Sequence, residues 1–160
     1  MCGPNREIHM KTIALVGEAN PYSSDPGYAL YPEPQGATGD RLCRIIMGLT
    51  HHQYLRRFDR FDLCTRRWST PRAREQARII VSQGYAKIVL LGARVRGAFR
   101  VIESEAAIPD FFTVSGRYVL LPHPSGRNRI WQEPGSIERA RRFLVEAGVL
   151  TAEDQRKEPQ

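Results

Sequence analysis

The chain has 160 residues, enough for one domain with a sizeable core, since chains of this length bury about two-thirds of their unfolded surface. Its 24 lysines and arginines against 17 acidic residues give a formal net charge of +7, which suggests a polyanionic partner such as nucleic acid. Only three of these cations are lysines. Arginine suits phosphate oxygens and base edges, although a coding bias toward arginine would give the same excess.

Cysteine usage and hydropathy indicate the compartment. Cys2, Cys43 and Cys64 are odd in number and far apart, which fits neither a disulfide framework nor a Cys-x-x-Cys metal site. We therefore expect a protein of the reducing cytoplasm. No apolar run approaches the ~20 residues of a membrane span, and Arg6 and Glu7 stand where a signal peptide needs apolar residues. We expect a soluble, unprocessed protein without contact to a membrane.

Four segments have the apolar character of buried strands: residues 12–16, 58–64, Lys87–Leu91 and Tyr118–Leu121. Apolar residues at helical spacing alternate with them and predict helices that begin near Asp40, Ser69, Ala93 and Ser136. This alternation predicts an α/β fold, a three-layer α/β/α domain around a central four-stranded parallel sheet. Thr38 and Ser136 are expected to cap the first and last helices. Residues 1–150 form the one predicted domain, and the polar tail, residues 151–160, is expected to fray.

Two polar segments follow predicted strands. Residues 17–22 read Gly-Glu-Ala-Asn-Pro-Tyr, and residues 121–129 read Leu-Pro-His-Pro-Ser-Gly-Arg-Asn-Arg. A histidine between prolines at the end of an apolar strand is a poor core element. Parallel sheets bind ligands beyond the carboxyl ends of their strands, so we predict that the two segments converge in one crevice. The long loop 21–39, rich in proline and glycine, has the length of a functional loop.

These segments resemble the two motifs of the uracil-DNA glycosylase superfamily. Gly-Glu-Ala-Asn-Pro-Tyr is similar to its first motif, and His-Pro-Ser-Gly-Arg-Asn is most similar to the second motif of the single-strand-selective monofunctional branch. The resemblance covers nearly the whole chain. It implies a monomeric, monofunctional glycosylase that takes DNA, single- or double-stranded, as its partner and acts without metal or cofactor. Some branches bind an iron–sulfur cluster through four cysteines, whereas three scattered cysteines predict none here.

Catalytic roles follow from this resemblance. His123 would donate a hydrogen bond to the base oxygen, because the base gains negative charge as the N-glycosidic bond breaks. The attacking water would be held either by Asn20, which precedes proline as in the asparagine-type branches, or by Glu18, which matches the iron–sulfur branches better. Both assignments stay open. The substrate would be a flipped-out base that DNA does not normally contain.

The resemblance also supplies binding residues. Tyr22 would crowd the C5 atom of a pyrimidine, Tyr31 or Tyr28 would stack on the flipped base, and Gly17 would complete the substrate pocket. Of the residues after His123, Arg127 would enter the vacated base stack and the others would contact the flanking DNA: Ser125, Asn128 and Arg129.

Asp62 departs from the superfamily pattern, which commonly has an asparagine at the end of the second strand. An ionised carboxylate only accepts hydrogen bonds, so it would repel O4 of uracil and suit the exocyclic amine of cytosine. We therefore predict a preference shifted toward a modified cytosine, whereas a protonated Asp62 would restore uracil. A structural ion pair is the other interpretation, with one of Arg56, Arg57, Arg60, Arg66 or Arg67.

Two other functions remain open on the sequence. The chain would also suit a hydrolase of free nucleosides or nucleotides, or a catalytically silent protein that binds single strands or lesions. Within the glycosylase reading, base-excision repair and attack on foreign modified DNA would use the same chemistry.

Overall fold

The computed structural model describes residues 11–156, and the strands in this range form one sheet in the order β2-β1-β3-β5-β4. They are β1 (Ile13–Asn20), β2 (Phe58–Thr65), β3 (Lys87–Leu91), β4 (Val114–Ser115) and β5 (Tyr118–Leu121). The predicted strands are present and mutually parallel. The predicted count of four strands is wrong, because β4 pairs antiparallel with β5 at the edge. A strand of two residues is too short to show an alternating pattern.

Helices cover both faces of the sheet. They are α1 (Thr38–Asp40, continuing as the π-helix Arg41–Ile46), α2 (His51–Arg57), α3 (Thr70–Ser82), α4 (Ala93–Ile102) and α5 (Ser136–Glu146). Short 3-10 helices comprise Pro26–Tyr28, Arg129–Gln132 and Glu153–Arg156. The predicted α/β fold class and three-layer arrangement are therefore confirmed.

The predicted caps of the first and last helices are wrong. Ala37 and Gly135 occupy the N-cap positions, and Thr38 and Ser136 are the first helical residues. Gly135 has a φ of +79°, a left-handed conformation that glycine adopts without strain, so the turn and not the serine hydroxyl sets the start of α5. The Ser136 Oγ atom is buried without a hydrogen-bond partner among the described residues.

Two hydrophobic cores lie on opposite faces of the sheet. Leu15 of β1 packs against α1, α2 and α5, whereas Ala14 and Val16 pack against α3 and α4. This alternation is the period of a strand buried on both faces, and each fully buried aliphatic side chain stabilises the fold by roughly 1.5–3 kcal/mol. Cys43 and Cys64 are buried in different cores.

Residues 151–156 were expected to fray, but they contain the 3-10 helix Glu153–Arg156 and contact the rest of the domain. Asp154 is buried and accepts hydrogen bonds from Arg57 on α2, and the peptide N–H of Thr151 donates to it as well. Residues 157–160 lie outside the described range, as do Cys2, Arg6 and Glu7 with the expectations that rest on them. Between residues 11 and 156, no helix has both the length and the apolar character of a membrane span.

The pairing of β1 opens the sheet where the first motif lies. β1 pairs with β3 only as far as Val16, opposite Leu90, whereas its pairing with β2 continues to Asn20, opposite Thr65. The strand therefore runs through the motif, which we had expected to be a loop. Beyond Val16 one side of β1 has no strand partner in the described structure, which leaves a crevice between β1 and the end of β3.

Candidate functional site

A cleft of about 1170 Å³ lies at the carboxyl ends of β1, β2 and β5. Residues from both polar segments line it, so the predicted convergence is confirmed. The predicted site residues among its walls are Glu18, Asn20, Tyr22, Tyr28, Tyr31, Asp62, His123, Ser125 and Arg127. Gly17, Asn128 and Arg129 are not among the lining residues, although they adjoin them in the chain.

The loop that follows β5, residues 122–128, fixes one tautomer of the His123 ring. The peptide N–H of Ser125 donates to Nδ1 at 3.2 Å, so Nδ1 is an acceptor and the neutral ring carries its proton on Nε2. The carbonyl oxygen of His123 accepts from Trp131 Nε1 at 2.8 Å and from Asn128 Nδ2 at 3.1 Å. Burial lowers the pKa of His123, and the Glu18 carboxylate opposes this only in part. At neutral pH the ring is thus a neutral hydrogen-bond donor.

Gly92, which the sequence did not single out as a site residue, packs closely against both His123 and Glu18. It follows β3 with a φ of +98°, and a Cβ atom there would lie 3.0 Å from His123 Cβ and 3.4 Å from Glu18 Oε2. Only glycine permits both the backbone conformation and the close approach. The strand-then-glycine pattern at the end of β3, which also occurs at Gly17, was the sequence signal that could have indicated it.

The two candidates for holding water differ in their surroundings. Asn20 Nδ2 donates to the Tyr28 carbonyl at 3.1 Å, and its Oδ1 accepts from the Tyr22 N–H at 2.8 Å. Its amide therefore holds the long loop in place. The Glu18 carboxylate accepts no hydrogen bond from another described residue, and Arg94 Nη1 lies 3.9 Å from its Oε1. Glu18 thus keeps acceptor capacity next to His123.

Asp62 is a half-buried carboxyl group packed against β1. Its Oδ1 would lie 2.8 Å from a Cβ atom at Gly17, so a side chain at position 17 would displace the carboxyl group. Burial, opposed by the Arg60 charge and reinforced by the Glu18 charge, raises the pKa of Asp62 to about 7. Near neutral pH the protonated and ionised forms are both populated, and the protonated form donates as well as accepts.

Asp62 forms no ion pair with a described arginine, contrary to the alternative interpretation. The charge of Arg60 lowers the pKa of Asp62, but the Arg60 guanidinium donates its hydrogen bonds elsewhere. It donates to the carbonyl of Ala29 at 2.8 Å and to that of Gly27 at 3.2 Å. It also lies 5.5 Å from the centre of the Tyr31 ring. Arg60 therefore anchors the long loop, and the Asp62 carboxyl remains available to a ligand.

The three candidate tyrosines differ in how much of each ring is exposed and in what it packs against. Tyr22 is 77% exposed and Tyr28 is 51% exposed. Tyr31 is half-buried and packs edge-to-face against Tyr28, with the ring centres 5.2 Å apart. Of these three rings, Tyr31 is therefore the one that neighbouring residues hold most firmly in the cleft, whereas Tyr22 is mostly exposed to solvent.

The residues after His123 divide into a structural and an exposed group. Asn128 donates to the His123 carbonyl and accepts from the N–H of Ile130, so both halves of its amide hold the loop rather than remaining free for DNA. Arg127 is exposed and lines the cleft, and Arg129 is exposed outside it. In the described part of the chain, no three histidine, cysteine or acidic residues are grouped as metal ligands.

Comparisons of the chain with protein-family models, curated proteins and solved structures found no match. The chemistry of the site therefore has to be inferred from its geometry and from the resemblance of its two motifs.

Proposed function

We propose that the protein is a monofunctional DNA glycosylase that hydrolyses the N-glycosidic bond of a modified or uracil-type pyrimidine turned out of the DNA stack. The supporting observation is that a neutral His123, with its proton on Nε2, and the Glu18 carboxylate both come within 3.4 Å of the position that a Cβ atom of Gly92 would take. A donor for the departing base and an acceptor for water then lie in one cleft.

The bond changes fit these groups. The C1′–N bond breaks and its electron pair leaves with the base, whose developing negative charge is stabilised by the Nε2–H of His123. The oxygen of a water molecule bonds to C1′, and Glu18 accepts the proton that this water loses. The carboxylate also stabilises the positive charge on the sugar. Neither motif contains a lysine that would form a Schiff base, so the product is an abasic site in an intact strand.

Asp62 would read the edge of the base in a manner that depends on its protonation. A protonated carboxyl group donates to O4 and accepts from N3–H, as an amide does, whereas the ionised form accepts from the exocyclic amine of a cytosine. Because its pKa is raised to about 7, both forms occur near neutral pH. Uracil-type bases should therefore be favoured at low pH and amine-bearing bases at high pH.

The size of the cleft favours DNA over a free nucleoside. Its volume of about 1170 Å³ exceeds the roughly 300–1,000 Å³ of pockets that enclose small molecules. The exposed Arg127 on its wall and the net charge of +7 fit a polyanionic strand that extends beyond the cleft.

Oligonucleotides that each contain uracil, hydroxymethyluracil, hypoxanthine or a substituted cytosine test the proposal. After incubation with the protein, alkali reveals abasic sites as strand breaks. We expect excision of at least one base, a loss of about 10²–10³-fold for His123→Ala and of about 10²–10⁴-fold for Glu18→Gln. Glu33→Gln is the matched control, because Glu33 lines the same cleft but is exposed and contacts His51, and it should retain full activity.

Two outcomes would contradict the proposal. Binding of the oligonucleotides without any abasic site between pH 5 and 9 would indicate the silent binding protein. Release of bases from free nucleosides but not from DNA would indicate the nucleoside hydrolase.

A further inference from the structure

A second, smaller pocket of about 220 Å³ adjoins the cleft along the edge strand β2. The loop after β1 and the first half of α3 form its other walls. Asn20, Ser23 and Asp62 line both the pocket and the cleft, so these residues form the boundary between them. A ligand that contacts Asp62 from the cleft therefore lies next to the smaller pocket.

Several polar side chains in this pocket are free to bind a ligand. Arg72 and Gln76 on α3 and Thr65 at the end of β2 line it, and none of their side chains forms a hydrogen bond or ion pair with another residue of the described range 11–156. Arg60, by contrast, donates to the loop carbonyls. The available groups are a guanidinium, an amide and a hydroxyl in the same pocket that Asp62 lines.

The charges of the pocket indicate a neutral ligand. Two guanidinium groups, those of Arg60 and Arg72, and two carboxyl groups, those of Asp25 and Asp62, line the pocket. One oxygen of Asp25 accepts from the Gly27 N–H at 2.9 Å, which leaves the other available. Hydroxyl groups match this mixture, since each donates to a carboxylate and accepts from a guanidinium or an amide. A phosphate would be repelled by the carboxylates, and an ammonium by the guanidinium groups.

The volume of the pocket sets the size of the ligand. A single water needs only about 10–15 Å³ of such space, so 220 Å³ admits a group much larger than one hydroxymethyl. We propose that this pocket binds a hydroxyl-bearing, sugar-sized substituent on the pyrimidine ring, so that the extended site recognises a glycosylated pyrimidine in DNA. This inference rests on the proposed glycosylase function and names its substrate class.

Single-turnover excision from three oligonucleotides tests this inference. They carry uracil, 5-hydroxymethylcytosine and glucosylated 5-hydroxymethylcytosine at the same position. The protein should excise the glucosylated base at least about tenfold faster than the hydroxymethylated base. Arg72→Ala should lower excision of the glucosylated base by about tenfold, the effect of losing one charged hydrogen bond, and leave excision of uracil unchanged.

Arg78→Ala is the matched control, because Arg78 is exposed on the same helix and does not line the pocket. It should leave all three rates unchanged. Excision of uracil without faster excision of the glucosylated base would overturn the inference and leave the glycosylase function intact, as would equal rate losses for Arg72→Ala on all three substrates. If no base is released from these oligonucleotides or from those that carry hydroxymethyluracil or hypoxanthine, the glycosylase function fails and the inference fails with it.

Discussion

Asp62 is the residue whose chemistry depends most on its surroundings. The sequence shows a carboxyl group where the superfamily that the two motifs resemble commonly has an amide, but it does not show that this carboxyl group is half-buried beside Gly17 and without an ion-pair partner among the described residues. Burial decides its protonation, and burial depends on the long loop that residues such as Arg60 hold in place. Under the proposed function, each base preference would therefore hold in its own pH range.

Replacing Asp62 by asparagine should stabilise the protein in a pH-dependent way. Because the pKa of Asp62 is raised from 3.8 to about 7, the folded state binds more protons than the unfolded state between these values, and stability falls as the pH rises through this window. At about 1.4 kcal/mol per pKa unit, Asp62→Asn should gain about 2–4 kcal/mol at pH 8 and little at pH 4. Urea unfolding at both pH values measures the difference.

The exposed Asp110, which is 83% exposed at its side chain, provides the control for this experiment. Asp110→Asn should change stability by less than about 0.5 kcal/mol at either pH. The same gain for Asp62→Asn at pH 4 and pH 8 would contradict the assigned protonation. The variant should also excise uracil at a rate that no longer falls above pH 7.

Gly92 combines a conformational requirement with a steric one. Gly92→Ala would force an L-residue to a φ of +98° and place its Cβ 3.0 Å from His123 Cβ. Gly84→Ala meets a comparable strain at a φ of +76° but has nothing within 4 Å. Both variants should lose about 1–3 kcal/mol of stability, and only Gly92→Ala should lower excision, by about 100-fold. Normal excision by Gly92→Ala would remove Gly92 from the site.

The secondary structure elements show which parts of the fold the sequence determines by itself. The apolar runs of β1, β3 and β5 are buried on both faces, and such runs are clear in a single sequence. The length of β1 beyond Val16 was not predictable, because those residues pair with β2 alone and are polar. The predicted cap of the last helix was wrong for a similar reason, since the left-handed backbone of Gly135 sets the start of α5. The convergence of the two motifs was predictable, since parallel strands place their carboxyl ends together.

The last 3-10 helix should be a stabilising element rather than a frayed tail. Burial alone would raise the pKa of Asp154, but hydrogen bonds from Arg57 and Thr151 outweigh it and hold the pKa below its usual value of 3.8. Its contribution is therefore present above that pH and is lost as the pH falls. Asp154→Ala should cost about 1–3 kcal/mol at pH 7 and less at pH 3, measured by urea unfolding.

Asp110→Ala is the control for this element, because Asp110 also contacts arginines, at 3.1 Å from Arg96 and 3.5 Å from Arg100, but at an exposed position. Exposed ion pairs contribute about 0–1 kcal/mol. Equal losses in the two variants would show that the segment Thr151–Arg156 does not hold the end of the chain against α2.

At the scale of the whole molecule, the net charge of +7 is the property that would attract the strand of DNA that the proposed function requires. Each phosphate contact releases counterions, so the logarithm of the affinity falls with the logarithm of the salt concentration by about 0.7–0.9 per contact. The charge alone was visible in the sequence, but the placement of Arg127 on the cleft wall comes from the structure.

The salt dependence of DNA binding should separate arginines at the cleft from arginines elsewhere. We expect Arg127→Ala to reduce the slope by about 1 and to weaken binding to all sequences alike, as removal of a phosphate contact does. Arg142, exposed on α5 and outside both pockets, is the matched control, and Arg142→Ala should leave the slope unchanged. Fluorescence anisotropy of a labelled oligonucleotide between 50 and 200 mM salt measures both. Equal slopes for the two variants would mean that the positive charge acts diffusely and that DNA does not lie across this cleft.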